Sequence, residues 1–177
     1  MRSLLASAAI ACLVSTACEG QGFPASQRQT ITQNVALTKL EISYGRPVAR
    51  GRELWGKLVP FDEVWHPGAD KATRLKIDHD VTVDGKALKA GEYSLWLIAR
   101  DGKPWTVIFN SVYDTWHRPY VGEATEVLRV DVAPETITHV ESLTIDFPSV
   151  LADDAMLRIH WGTQAVSMKI KAPYRPG

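Results

Sequence analysis

An all-β fold, an antiparallel β-sandwich or jelly-roll-like single domain, is predicted by three observations. Apolar and polar residues alternate with a period of two along most of the chain from residue 30 onward. Turn dipeptides such as Asp84-Gly85, Ala90-Gly91 and Asp101-Gly102 separate these runs. No amphipathic helical stripe of about a dozen residues interrupts them. Short strands with turn signals at intervals of about 8–12 residues belong to sandwiches and jelly rolls.

Each element follows from its own pattern. Leu40, Ile42 and Tyr44 alternate with Lys39, Glu41 and Ser43, a strand with one buried face. Leu75 and Ile77 repeat this between Arg74, Lys76 and Asp78. Val81 and Val83 lead into Asp84-Gly85. Residues 93–99 are apolar on both faces except Ser94, which suits a central strand covered on both sides. Asp101-Gly102 folds that strand back onto the run from Trp105 to Phe109. Further strands are read at residues 127–132, 143–147, 155–161 and 166–170, with Gly162-Thr163 as the last hairpin turn. Residues 52–58 and 121–127 each have room for one helical turn.

Ahead of the strands stands a three-part leader. Met1-Arg2-Ser3 is a short basic start, residues 4–14 carry no charge, and Ser15-Thr16-Ala17 are small. The apolar run spans about 16 Å as a helix, too short for a hydrocarbon core of about 30 Å. Residues 1–17 are therefore expected to be a signal peptide, and the protein to be exported, either periplasmic or an outer-membrane-anchored lipoprotein. Cys18 follows the small residues as in a bacterial lipobox, with Ser15 where Leu is usual, and is the candidate lipidation site. Residues 18–29 read as a polar tether, 30–171 as the sandwich domain and 172–177 as a tail. Contact with a membrane is expected only through a lipid on Cys18.

Composition narrows the function. Lys plus Arg number 20 and Asp plus Glu number 20, so the net charge is zero and no basic excess invites nucleic acid. The only cysteines are Cys12 and Cys18, which excludes a disulfide or a thiol nucleophile within the folded body. No Gly-x-Ser-x-Gly, P-loop, Gly-x-Gly-x-x-Gly or His-Glu-x-x-His motif is present, and no cofactor is expected.

Residues 44–73 hold most of the chemistry. About thirty residues here join two strands, mixing bulky aromatics with Arg46, Arg50 and Arg52. Guanidinium forks suit carboxylates and phosphates, or they can lock the loop by pairing with Glu53, Asp62, Glu63 or Asp70. Trp55 and Trp65 are candidate platforms for a sugar ring, and Trp116, beside His117, is a further exposed wall. His66 and Asp70 form a candidate hydrogen-bonded pair, which His117 would extend to a metal site of two imidazoles and one carboxylate. His79, His139 and His160 read as surface or satisfied histidines.

The residues that carry a family pattern run through this loop and beyond it. They are Arg46-Pro47, Gly51-Arg52, Leu54-Trp55-Gly56, Leu58-Val59-Pro60, Val64-Trp65, Gly68-Ala69-Asp70 and Ala72-Thr73. Ala90-Gly91-x-Tyr93-Ser94-Leu95, Trp105-x-x-Ile108-x-Asn110, Trp116 and Val127-Leu128-Arg129-Val130 continue it. Together they resemble the bacterial family known as domain of unknown function 2911, over roughly residues 25–171. The resemblance implies an exported bacterial β-rich domain and no established activity. Three positions depart from the family pattern, with His66 in place of Arg, Asp70 in place of Asn and His117 in place of Gly.

Three roles follow. The favoured one is a non-catalytic ligand-binding or scaffold module of the bacterial envelope, with Arg46, Arg52, Trp55, Trp65, His66, Asp70, Trp116 and His117 around a small carbohydrate or anionic ligand. It predicts an open groove near Trp55, Trp65 and Trp116. The first alternative is a small hydrolase or metal-dependent enzyme using His66, Asp70 and His117. The second is a purely structural or protein-interaction domain, with Arg46 and Arg52 buried in ion pairs and no pocket behind them.

Overall fold

Alternating burial builds the first hairpin. In a computed structural model that describes residues 25–173, β1 (Gln27–Val35) pairs antiparallel with β2 (Thr38–Arg46) through a two-residue turn at Ala36-Leu37. Leu40, Ile42 and Tyr44 point into the core and are fully buried. β1 starts at Gln27, inside the stretch read as a tether, so the first strand begins three residues before the domain boundary expected at residue 30. Residues 1–17, Cys18 and the start of that tether lie outside the described residues.

Six strands then form the first sheet in the order β1-β2-β4-β7-β8-β9, where β4 is Arg74–Ile77, β7 Gly91–Ile98, β8 Trp105–Asn110 and β9 Glu126–Val132. The two-residue β3 (Val64–Trp65) also pairs with β7. β3 meets β7 at Leu97 and Ile98, and β4 meets it at Gly91 to Ser94. The two are therefore halves of one strand position, interrupted by residues 66–73. That excursion becomes the site.

The second sheet runs β10-β11-β5-β6, with β5 at Val81–Val83, β6 at Lys86–Leu88, β10 at Glu135–Val150 and β11 at Asp154–Lys171. Asp84 and Gly85, both at positive φ, make the tight turn between β5 and β6. No hairpin forms at Gly162-Thr163. β11 continues through it, with Gly162 at φ +57 opposite Val140 at one of several register shifts. The long β10–β11 ribbon bends there instead of reversing, and its register shifts absorb the break in alternation that resembles a turn.

Leu95, Leu97, Val107 and Phe109 of the first sheet share a core with Leu143, Ile145, Leu157 and Ile159 of the second. The other face of β7 and β8 carries Trp96, Ile98 and Ile108, covered by Val64, Tyr120 and Val121. Thus β7 is buried on both sides, as its unbroken apolar run predicts. The chain covering that outer face includes a 3-10 turn at Glu123–Thr125, one of the two helical turns expected. Residues 52–58 instead form turns closed by Gly56 N donating to Val59 O at 2.8 Å and Val59 N to Leu54 O at 2.8 Å.

Tyr44 ties the sheets together. Its hydroxyl donates to Gln29 Oε1 at 2.8 Å and accepts from Ile145 N at 3.0 Å, across 101 positions. His139 lies in β10, exposed, with Nε2 3.0 Å from Glu141 Oε2. His160 is buried rather than on the surface: it lies 3.4 Å from Asp146 Oδ2, and neither ring nitrogen makes a hydrogen bond.

Candidate functional site

Residues 66–73 leave the sheet and return within one strand position, so their backbone needs partners other than the ladder. Two of them are side chains of the excursion itself. The Thr73 N–H donates to His66 Nε2 at 2.5 Å, and Thr73 Oγ1 donates to Pro67 O at 2.8 Å. Gly68 is held by space, because a Cβ there would lie 2.7 Å from His66 Cε1 and 2.7 Å from Thr73 Oγ1. The excursion in turn lies on β2, where a Cβ at Gly45 would meet Ala69 O at 2.4 Å.

His66 is only 4 % exposed. With Nε2 accepting a bond, its proton is assigned to Nδ1, which has no hydrogen-bond partner. Burial pushes the ring's pKa down to about 3, with the charges of His117 and Arg28 adding to the effect. The ring is therefore neutral at physiological pH and its lone pair is engaged, which makes it a poor general base and a ready donor.

A second loop, residues 111–122, fastens to the excursion through backbone bonds. Ala72 N donates to Thr115 O at 2.9 Å and His117 N donates to Asp70 O at 3.1 Å. His117 Nδ1 also lies 2.8 Å from Asp70 O, which assigns its proton to Nδ1 and leaves the Nε2 lone pair available. The His66 and His117 rings lie 6.2 Å apart, inclined by 28°. His66 and Asp70 do not form the expected hydrogen-bonded pair. His66 takes a backbone N–H instead, and Asp70 offers His117 its carbonyl rather than its carboxylate. Among the described residues no group of three His, Cys, Asp or Glu side chains is placed to hold a metal, so the His66, Asp70, His117 metal site is not formed.

The arginines also find other partners than predicted. Arg46 donates from Nε to Leu143 O at 3.3 Å and from Nη2 to Thr144 Oγ1 at 3.1 Å. Arg52 donates from Nε to Ala49 O at 2.9 Å and from Nη2 to Val48 O at 2.6 Å. Arg50 reaches Ala25 O at 3.4 Å. Carbonyl oxygens and the Thr144 hydroxyl, not Glu53, Asp62, Glu63 or Asp70, thus take the guanidinium bonds of this loop. Arg46 and Arg52 are not buried in ion pairs.

Tryptophans line up beside it. Trp65 stacks on Trp161 with centroids 6.0 Å apart and planes inclined by 11°. It meets Trp55 edge-on at 6.1 Å, and Trp55 lies 4.5 Å from Trp105. Trp96 packs under Tyr120 at 4.9 Å and His66 at 5.7 Å. Trp116 alone among the tryptophans is widely exposed, at 58 %.

These groups enclose a cavity of about 420 Å³. Of the predicted residues, Arg52, Trp65, His66, Asp70 and His117 line it, over a floor that includes Trp96 and Trp161. Arg50, read with Arg46 and Arg52 as a guanidinium suited to anions, also lines it, and so do Arg118, Glu63 and Tyr120, which were not among the candidate ligand-binding residues. Arg118 makes no hydrogen bond or ion pair among the described residues. Its only sequence signal is its position next to His117. Asp70 and Trp116 line a second cavity of about 400 Å³. Arg46 and Trp55 line neither: Arg46 clasps β10, and Trp55 packs onto the core.

No match was found among curated proteins or among solved structures. One family profile, described as a protein of unknown function (DUF2911), matches residues 26–170, from the start of β1 almost to the end of β11. The sheets, the excursion and both loops of the site fall within that span, and the chain belongs to the DUF2911 family.

Proposed function

We propose that this domain is a non-catalytic binding module of the bacterial envelope that holds a small acidic sugar in the cavity beside His66. One observation carries the reading: Arg50, Arg52 and Arg118 border a single cavity, and among the described residues none of their guanidinium groups has a carboxylate partner, Arg50 meeting Glu141 only through its backbone N–H. Guanidinium groups without an internal anion suit a carboxylate or phosphate from solution. The Trp65 and Trp161 rings supply apolar walls, and the unpartnered Nδ1–H of His66 is a buried donor. Export behind residues 1–17 and lipid attachment at Cys18 belong to this reading.

Titration calorimetry tests it. Galacturonic acid is expected to bind, galactose to bind at least tenfold more weakly, and Arg118→Ala to remove the preference. Equal or absent binding of the two sugars overturns it. Mass spectrometry of the membrane fraction checks the lipid on Cys18.

A further inference from the structure

The second cavity is continuous in its walls with the first, since Ser26 and Asp70 line both. Trp116 and His117, consecutive in the chain, face the second and the first in turn. We infer that the site has two adjoining subsites and takes an acidic disaccharide or longer saccharide, with one ring beside the arginines and the next on Trp116. This rests on the binding reading above and extends it.

Three features point to a sugar on Trp116. First, the indole is 58 % exposed, yet its backbone is held on both sides: Lys71 and Trp116 form a β-bridge, and the flanking residues bond Ala72 and Asp70. A platform fixed before binding loses little entropy when a ligand lands on it. Second, the Asp70 carboxylate makes no hydrogen bond or ion pair among the described residues and meets only the more distant charge of Arg28, while its backbone carbonyl is fixed by His117. Third, Ser26 and Arg28 stand in the same cavity. A pyranose has an apolar C–H face for the indole and a hydroxyl rim for a carboxylate, a hydroxyl and a guanidinium. Lys71 is already engaged by Asp114 at 2.9 Å, and Arg28 donates to Ala72 O at 3.2 Å. The carboxylate is therefore the group left for the ligand.

The test compares galacturonic acid with its α-1,4-linked dimer by calorimetry on the wild-type protein, Trp116→Ala and Trp116→Phe. The dimer is expected to bind wild type at least tenfold more tightly than the monomer. Trp116→Ala should erase that gain and leave the monomer's affinity unchanged, while Trp116→Phe should keep part of it. Thermal unfolding should be the same for all three proteins, since the side chain is exposed. Equal affinity of monomer and dimer for wild type overturns the second subsite and leaves the acidic-sugar reading standing. Loss of monomer binding in Trp116→Ala also overturns it, because the two subsites would not be separate. Absence of binding by both sugars overturns the binding reading, and this one with it.

Discussion

The backbone N–H of Thr73 donates to Nε2 of His66 across seven positions, and this bond sets the state of the most buried polar group in the cavity. With Nε2 engaged, His66 keeps its proton on Nδ1 and stays neutral. It also closes the excursion between β3 and β4, so one imidazole both shapes the loop and fixes the chemistry the loop presents.

A pH dependence of stability follows. The folded-state pKa of His66 is lowered from 6.5 to about 3, so between those values the unfolded chain binds a proton that the folded chain does not. Its contribution is complete above pH 6.5 and is lost as pH falls towards 3, by at most about 1.4 kcal/mol per pH unit. His160, also lowered by burial, acts in the same direction. Urea midpoints between about pH 7.5 and 5 stay above the carboxylate range and should fall with pH. His66→Gln, which has no titrating ring, should give a flatter profile. Parallel profiles would remove His66 from this role.

Close approach makes two glycines sensitive. A Cβ at Gly45 would lie 2.4 Å from a backbone oxygen, which cannot swing aside, and one at Gly68 would press on His66 and Thr73. Gly45→Ala and Gly68→Ala should each destabilise by about 1–3 kcal/mol in chemical denaturation. Only Gly68→Ala should also move the His66 ring resonances directly, because its new methyl would touch that ring.

The Tyr44 hydroxyl is the partner of a buried backbone donor. Tyr44→Phe removes only the hydroxyl and leaves Ile145 N–H without its acceptor. A loss of about 1–3 kcal/mol is expected from urea unfolding. A smaller loss would mean that the donor finds another acceptor.

Arg118 and Arg52 should separate binding from stability. Arg118 makes no hydrogen bond or ion pair among the described residues, so Arg118→Ala should stay within about 0.5 kcal/mol of wild type while weakening acidic-sugar binding. Arg52 bonds two carbonyls, so Arg52→Ala should weaken binding and also lose about 1 kcal/mol. Calorimetry and urea titration of the same samples check both.

Most of the sheet structure is legible in the sequence because half-buried strands alternate. Leu40, Ile42 and Tyr44 declare their inward face, and Asp84-Gly85 its turn. Gly162-Thr163 misleads, since a glycine at positive φ serves a bend in a continuous strand as well as a reversal. Cavity-lining roles of Trp65, His66, Asp70 and His117 were within reach because the loops carrying them break alternation. Their partners were not. His66 bonds a backbone group seven positions away and Arg52 bonds carbonyls, and neither kind of acceptor or donor has a residue letter. Arg118 and Tyr120 enter the site only because the outer face of β7 is covered by the loop that carries them.

Ala25 and Ser26, the two residues just before β1, are themselves part of the first cavity's wall. Any load coupled to the chain ahead of Ala25 is thus coupled at the mouth of the site. A purification tag, a fusion partner or a sensor surface attached on that side would crowd the opening. The same load joined after Ala172, which lines neither cavity and whose N–H bonds Asp153 O in the turn between β10 and β11, would leave that wall clear. Binding assays on this domain should therefore carry their handles at the C-terminal side.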